Sequence, residues 1–307
     1  MGGTLEIQDV VSQDDRRAAL VVANRARPWA FESVLRADAL LARPARVLWE
    51  GVALVEGQAV GVARVREPFD DGSGTVMVSV DVVVRPEFRS EGIGARLTDE
   101  VRTRLPVGSP LFLTAWVEAS DERSAGHLTK LGFDLGEPEL MRHICHDLSS
   151  SAGPNLDGSL RGLNSLDERQ WIAVHAALGP ALDEMPGARA DLEPFEEWCQ
   201  LQRRSLAANG ERIVALDGDV PIGFTGFDAG LGVPCGYVDV TFVVPEHRGR
   251  GLARAMKLAL HASAHRRGLA VLTTAVAPMN APMLRVNERL GYEPRFRRWG
   301  TLRTAAT

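Results

Sequence analysis

The stretch that decides the fold is "VVPEHRGRGLARAM", residues 243–256. An apolar run rich in valine is followed by a loop with two arginines and two glycines, and then by apolar residues at helical spacing. The first turn of a helix has backbone N–H groups without internal partners and lies at the positive end of the helix dipole. Gly249 and Gly251 let an anion approach these amides, and Arg248 and Arg250 add positive charge. The stretch predicts a cradle for a diphosphate between a strand and a helix.

The chain contains a second copy of this stretch. It reads "VVVRPEFRSEGIGARL" and spans residues 82–97, and its Pro86, Arg89 and Gly92 each recur 159 positions later. The same offset relates "LGF" in the first half to "LGY" in the second. A constant offset over so many residues predicts two homologous domains, because the repeats of a solenoid are far shorter.

Residues 149–158 are rich in serine, glycine and proline and have no apolar periodicity, as a linker would. We therefore predict an N-terminal domain at residues 1–148 and a C-terminal domain at residues 159–307. Strand patterns and helix patterns mix in each half, with a hairpin turn expected at Asp217-Gly218. The expected fold class is α/β (mixed α+β), with a mixed central sheet flanked by helices in each domain.

Composition excludes several classes of protein. The net charge of −5 argues against a general nucleic-acid binder. No apolar run is long enough to cross a bilayer, and the N-terminus lacks a secretory apolar region. The three cysteines are widely spaced and form no CxxC, so we expect neither a disulfide framework nor a metal site. A cytoplasmic protein without nucleic-acid or membrane partners fits best.

The motif Arg248-x-x-Gly251-x-Ala253 resembles the R/Q-x-x-G-x-G/A signature of the GNAT N-acetyltransferase superfamily. In that family the loop binds the pyrophosphate of acetyl-CoA. The resemblance covers most of the chain as a tandem pair, and it is strongest over residues 238–291. It implies acetyl-CoA as cosubstrate and an enzyme that transfers the acetyl group to an amine by direct attack.

The first copy, Arg89-x-x-Gly92-x-Gly94, departs from the second. Ser90 stands where the second copy has glycine, and Glu91 stands where it has arginine. A negative charge beside the expected diphosphate weakens binding, by about 1 kcal/mol or less for an exposed group. We expect the first domain to be a degenerate copy that is structural or still binds CoA.

The resemblance implies a set of acetyl-CoA contacts in both halves. In the second half they are Phe242, Val243, Val244, Arg248, Gly249, Arg250, Gly251, Leu252, Ala253 and Asn280. In the first half they are Val84, Arg89, Gly92 and Gly94. Asn280 also fits the N-cap of a following helix, and the two roles are compatible.

Many relatives carry an acidic residue six positions before the proline of the loop. In the second half this residue is Asp239, the candidate general base, and in the first half it is Val80. The nearby Asp81 is one residue out of phase, so we expect it on the opposite face of its strand. A structural hydrogen bond is the alternative role for Asp239.

Relatives often place a tyrosine, the general acid, four residues before the glycine of "LGF". The second half has Asn287 there and the first half Leu128, so protonation of the thiolate by water is one possibility. Tyr237 lies two residues before Asp239 and is expected on the same strand face, as an acid, a substrate contact or a packing residue.

The acceptor side is less defined. Residues 182–198 are acidic, which would attract a cationic amine or simply provide a solvated helix start. The pairs His143/His146 and His261/His265 are expected in packing or solvent roles.

The predicted function is acetyl transfer to a primary amine of a small molecule by a monomer or homodimer. The alternatives are a non-catalytic acyl-CoA-binding or interaction protein and a protein or peptide N-acetyltransferase.

Overall fold

The computed structural model describes residues 4–28, 30, 47–66, 69–70, 76–105, 112–148, 159–184 and 192–303, so the predicted linker lies outside the described residues. The first half contains β1 (Leu5–Asp9), α1 (Gln13–Ala26), β2 (Val47–Val55), β3 (Gln58–Arg66), β4 (Phe69–Asp70), β5 (Val76–Val84), α2 (Ile93–Thr103), β6 (Phe112–Glu118), α3 (Glu122–Lys130), β7 (Asp134–Leu135) and β8 (Glu139–Cys145). The second half contains β9 (Leu160–Gly162), α4 (Glu168–Asp183), α5 (Phe195–Ala207), β10 (Glu211–Asp217), β11 (Val220–Ala229), β12 (Cys235–Val243), α6 (Leu252–Arg266), β13 (Val271–Thr274), α7 (Ala281–Arg289) and β14 (Glu293–Arg303).

The strands form one continuous sheet in the order β1-β2-β3-β5-β6-β14-β8-β13-β12-β11-β10-β9, with β4 beside β5 and β7 beside β14. Two neighbouring pairs, β5 with β6 and β12 with β13, run parallel, and the other pairs are antiparallel. Each parallel pair is joined by the helix that follows the glycine-rich loop. The mixed sheet flanked by helices confirms the predicted fold class.

The two halves exchange their last strands. β8 belongs to the first half by sequence, yet it lies between β13 and β14 of the second half. The end of β14 in turn pairs with β6 of the first half, where Leu302 faces Leu113. Each half therefore receives one strand from the other, and the sheet does not divide at the predicted boundary.

Helices cover both faces of the second-half sheet. Met256 and Leu260 of α6 pack against Val238 and Val243 on one face. On the other face, α4 and α5 pack their tryptophans against Phe224 and Phe242. Each fully buried side chain of this size contributes about 1.5–3 kcal/mol, so the end of β12 is held firmly where the loop begins.

Candidate active site

The loop between β12 and α6 has the geometry of an anion site. A short turn at Pro245–His247 follows the strand, and Gly251 caps the helix. Gly249 and Gly251 have φ angles of 77° and 80°, in the left-handed region that favours glycine. Among the described residues, the amides of residues 249–254 have no hydrogen-bond acceptor, and the first turn of α6 has no acidic residue. Six free amides at a helix N-terminus suit a diphosphate.

The motif arginine holds the loop against the strand. Arg248 Nε donates to the Val243 carbonyl at 2.9 Å, and its guanidinium also pairs with Glu184 at the end of α4. Arg89 repeats the first contact with the Val84 carbonyl at 3.1 Å. The Arg248 side chain therefore fixes the backbone of the cradle, and its contact with a diphosphate stays a prediction.

The remaining predicted second-half contacts lie around this loop. Phe242 and Val243 are buried, and the Val244 amide donates to Ile222 on β11 at 2.9 Å. Leu252 and Ala253 are half-buried at the start of α6 and pack on the core. The Val244 amide is therefore engaged within the sheet and is not a free donor for a ligand.

The first half contains a cavity of about 630 Å³ between β5, β6, α2 and α3. Val84, Arg89, Gly92 and Gly94 all line it, so the four predicted first-half residues share one site. Ser90 has a φ of 77°, the same left-handed conformation as its glycine counterpart. The substitution of serine for glycine has left the shape of the first cradle unchanged.

The candidate base lies at a β-bulge. The pairing of β11 with β12 shifts between Thr225 and Phe227, so β12 has one extra residue next to Asp239. Val238 packs on the α6 face and Val240 on the opposite face, although strict alternation would place them on the same face. The bulge therefore removes the basis for expecting Tyr237 and Asp239 on the same face of the strand. Asp239 itself is exposed.

The bulge also corrects the comparison with the first half, where β3 pairs with β5 without any shift. Val80 faces Val65 there, just as Val238 faces the matching Phe227 in the second half. The offset of 159 therefore fails before the bulge, so Val80 corresponds to Val238. Asp81 alone lies opposite Arg64, where Asp239 and Val240 together lie opposite Gly226. Sequence spacing cannot reveal an extra residue in one strand. Asp81 is the carboxylate of the first half at this level of the sheet, and the absence of a base there stays a prediction.

In the first half, the carboxylate of Asp81 is neutralised by an ion pair with Arg27. Arg27 Nη1 lies 2.7 Å from Asp81 Oδ1, and the guanidinium stacks 4.4 Å from the centre of the Trp116 ring. Burial alone would raise the pKa of Asp81, but the charges of Arg27, Arg64 and Arg66 outweigh burial and lower it. A carboxylate held in this pair is a poor base.

The two candidates for the acid lie in different surroundings. Tyr237 is half-buried, and the guanidinium of Arg142 from β8 lies 5.0 Å from its ring centre. Asn287 is fully buried and accepts a hydrogen bond of 2.7 Å from Lys257 Nζ. Lys257 is one of only two lysines in the chain and lies among apolar residues at helical spacing, a signal in the sequence that could have marked it as a candidate.

Asn280 caps α7 by accepting a hydrogen bond from the Met283 amide at 3.3 Å, as its N-cap role predicted.

Part of the acidic stretch, residues 185–191, lies outside the described residues. Of the histidines, His143 and His261 are buried while His146 and His265 are exposed. Within the described residues, no metal-binding group of three or more His, Cys, Asp or Glu side chains occurs. The helices described there are all too short or too polar to span a membrane.

Comparison with known proteins identifies the family. The model of the acetyltransferase (GNAT) family matches residues 12–133 and 173–292. The chain belongs to the GNAT acetyltransferase family. It is therefore an acyltransferase with two GNAT repeats.

The mycothiol acetyltransferase of Paenarthrobacter aurescens is 30% identical over 257 residues, which cover 78% of this chain and 72% of that protein. The enzyme of the same name from a Nocardioides species is 28% identical over 246 residues, covering 75% and 82%.

Two solved structures support the fold. A tandem GNAT protein from the clavulanic acid biosynthesis pathway aligns with a TM-score of 0.56 at 19% identity, covering 99% of this chain and 100% of that one. A GNAT-family acetyltransferase from Colwellia psychrerythraea aligns with a TM-score of 0.51 at 12% identity, covering 96% and 99%. At these identities the likeness concerns the fold alone.

Proposed function

We propose that the second half binds acetyl-CoA and transfers its acetyl group to the primary amine of a small molecule. The observation that carries this proposal is the row of six amides at residues 249–254, which have no acceptor in the described part of the chain and follow the bulged strand that contains Asp239. The diphosphate would bind these amides, and the pantetheine arm would enter where β12 and β13 separate after Val238 and Thr274.

In the proposed reaction, Asp239 accepts a proton from the ammonium group, directly or through water. The amine nitrogen then attacks the thioester carbonyl and the C–N bond forms. The nitrogen loses its second proton to solvent, and the C–S bond breaks. The CoA thiolate leaves and takes up one proton. No acyl-enzyme is required, which agrees with the buried position of Cys145, Cys199 and Cys235.

An Asp239→Asn variant tests this assignment. Loss of a general base should lower both kcat and kcat/KM by about 10²–10⁴-fold. Thiol release from acetyl-CoA with a panel of amines measures both effects. Asp219→Asn, in the exposed hairpin turn before β11, is the matched control. Equal activity of both variants would contradict the proposal.

The first half would bind acyl-CoA without transferring the acyl group. Its cavity of about 630 Å³ and its preserved loop conformation favour binding, while the Arg27–Asp81 pair removes the base. This role would make it a regulatory or structural copy in a cytoplasmic monomer or homodimer.

The shared name of the relatives favours a second, narrower candidate, an acceptor chemically related to mycothiol. Turnover with a mycothiol-type amine that exceeds turnover with polyamines, aminoglycosides and peptides would support it. Faster turnover on peptides would favour protein acetylation instead. Binding of acetyl-CoA without turnover on any amine would favour a non-catalytic role.

A further inference from the structure

A cluster of buried polar groups lies beneath α6 and α7 in the second half. Lys257 Nζ donates to Asn287 Oδ1 at 2.7 Å and lies 4.9 Å from the centre of the Tyr292 ring. His261 Nε2 lies 3.0 Å from the Tyr292 hydroxyl. The exchanged strand β8 adds His143, so the first half contributes a side chain to this cluster.

The internal repeat relates this cluster to the cavity of the first half. Four residues of the cluster each stand 159 positions after a residue that lines the first-half cavity. They are Lys257, His261, Asn287 and Tyr292, which correspond to Thr98, Arg102, Leu128 and Phe133. Three of the first-half residues are short or apolar and the fourth, Arg102, is exposed and pairs with Asp99, whereas the four second-half side chains are buried and polar.

Two buried nitrogen atoms of the cluster have no hydrogen-bond partner within the described part of the chain. They are Asn287 Nδ2 and His143 Nδ1. A buried N–H without an acceptor is costly and therefore uncommon in folded proteins. Asn287 occupies the position where the family resemblance places the general acid, so its free N–H marks a place for the sulfur of CoA.

We propose that Lys257 is the proton donor to the departing CoA thiolate, with Asn287 donating a hydrogen bond from Nδ2 to the same sulfur. This inference rests on the proposed acetyl transfer in the second half. When the C–S bond breaks, the sulfur keeps the electron pair and takes one proton from the Lys257 ammonium. The neutral amine then regains a proton from solvent, so the residue is unchanged after each turnover.

The charges around Lys257 suit this role. Burial lowers the pKa of Lys257 to about 7. Its titratable neighbours stay neutral near this pH, since burial raises the pKa of Cys145 to about 11, raises that of Tyr292, and lowers those of His143 and His261. A lysine poised near neutral pH can both hold a proton and release it.

The test uses Lys257→Met in a chain that also has Gly92→Glu, which closes the first cradle. The matched control is Lys130→Met, because Lys130 is the other lysine and is exposed on α3. Wild-type kcat/KM should fall above about pH 7 as Lys257 loses its proton. Lys257→Met should lower kcat about 100-fold with little change in KM and should abolish this decline. Lys130→Met should change neither.

A second readout needs no acceptor amine. The absorbance of the thiolate reports the pKa of the CoA thiol bound to the second site, and a nearby ammonium lowers such a pKa by about 1–3 units. Lys257→Met should remove this lowering, and Lys257→Met with Asn287→Tyr should regain activity because a phenol can replace the acid. CoA binding with an unshifted thiol pKa in the wild type would overturn the role of Lys257 alone. Absence of CoA binding would overturn the proposed function as well.

Discussion

Ser90 and Gly249 share one backbone conformation but differ in side chain. Their φ angles are both 77°, although serine rarely adopts this region. The sequence predicted the loop and its glycines, because the left-handed positions fall where the motif has glycine. It could not predict that Ser90 keeps the same conformation, since the loop is also fixed by Arg89 on Val84.

Exchanging these two residues should have opposite effects on stability. Ser90→Gly relieves left-handed strain and should raise the free energy of unfolding by about 0.5–1 kcal/mol, while Gly249→Ser should lower it by a similar amount. Urea denaturation of both variants measures the changes. Effects of the same sign would show that the two loops are not equivalent.

At the level of elements, the N-cap of α7 follows from the sequence, because the Asn280 side chain bonds locally to Met283. The bulge in β12 and the exchange of β8 and β14 do not follow, because both depend on pairing between distant strands. The offset of 159 between the halves therefore holds after the bulge and fails before it.

Helix α6 should make the protein sensitive to acid through His261. Burial lowers the pKa of His261 to about 4 from the ordinary 6.5, so the unfolded chain binds one more proton between these values. Stability therefore falls as pH drops from 6.5 toward 4, by a contribution on the order of 3 kcal/mol.

The variant His261→Gln keeps a polar group beside Tyr292 but does not titrate. It should lose much of this acid sensitivity in thermal unfolding measured from pH 7 to 4. His265→Gln, one turn along α6 and exposed, should behave as the wild type. An unchanged pH dependence in His261→Gln would contradict the assignment.

At the scale of the whole molecule, the exchanged strands join both halves into one sheet. β14 contributes residues to both parts, pairing with β8 near Glu293 and with β6 near Arg303. Cys145 of the first half also packs in the core of the second. The sequence predicted two repeats correctly, but periodicity within each strand contains no information about which half receives it.

This exchange predicts one unfolding transition instead of two. Because neither half keeps a complete sheet when the other unfolds, both should lose structure together. Differential scanning calorimetry should give a van't Hoff enthalpy equal to the calorimetric enthalpy. Two separated transitions would show that the halves are independent.

The central claim is that the cradle of the second half, not the first, presents the thioester for transfer. The most direct measurement is the rate of thiol release from acetyl-CoA in Gly251→Glu compared with Gly92→Glu, which place the same charge at matching positions. We expect Gly251→Glu to lower kcat/KM at least about 100-fold, because its carboxylate repels the diphosphate from the amides and its positive φ is strained for glutamate. We expect Gly92→Glu to keep most of its activity. Retained activity in Gly251→Glu with loss in Gly92→Glu would contradict the account.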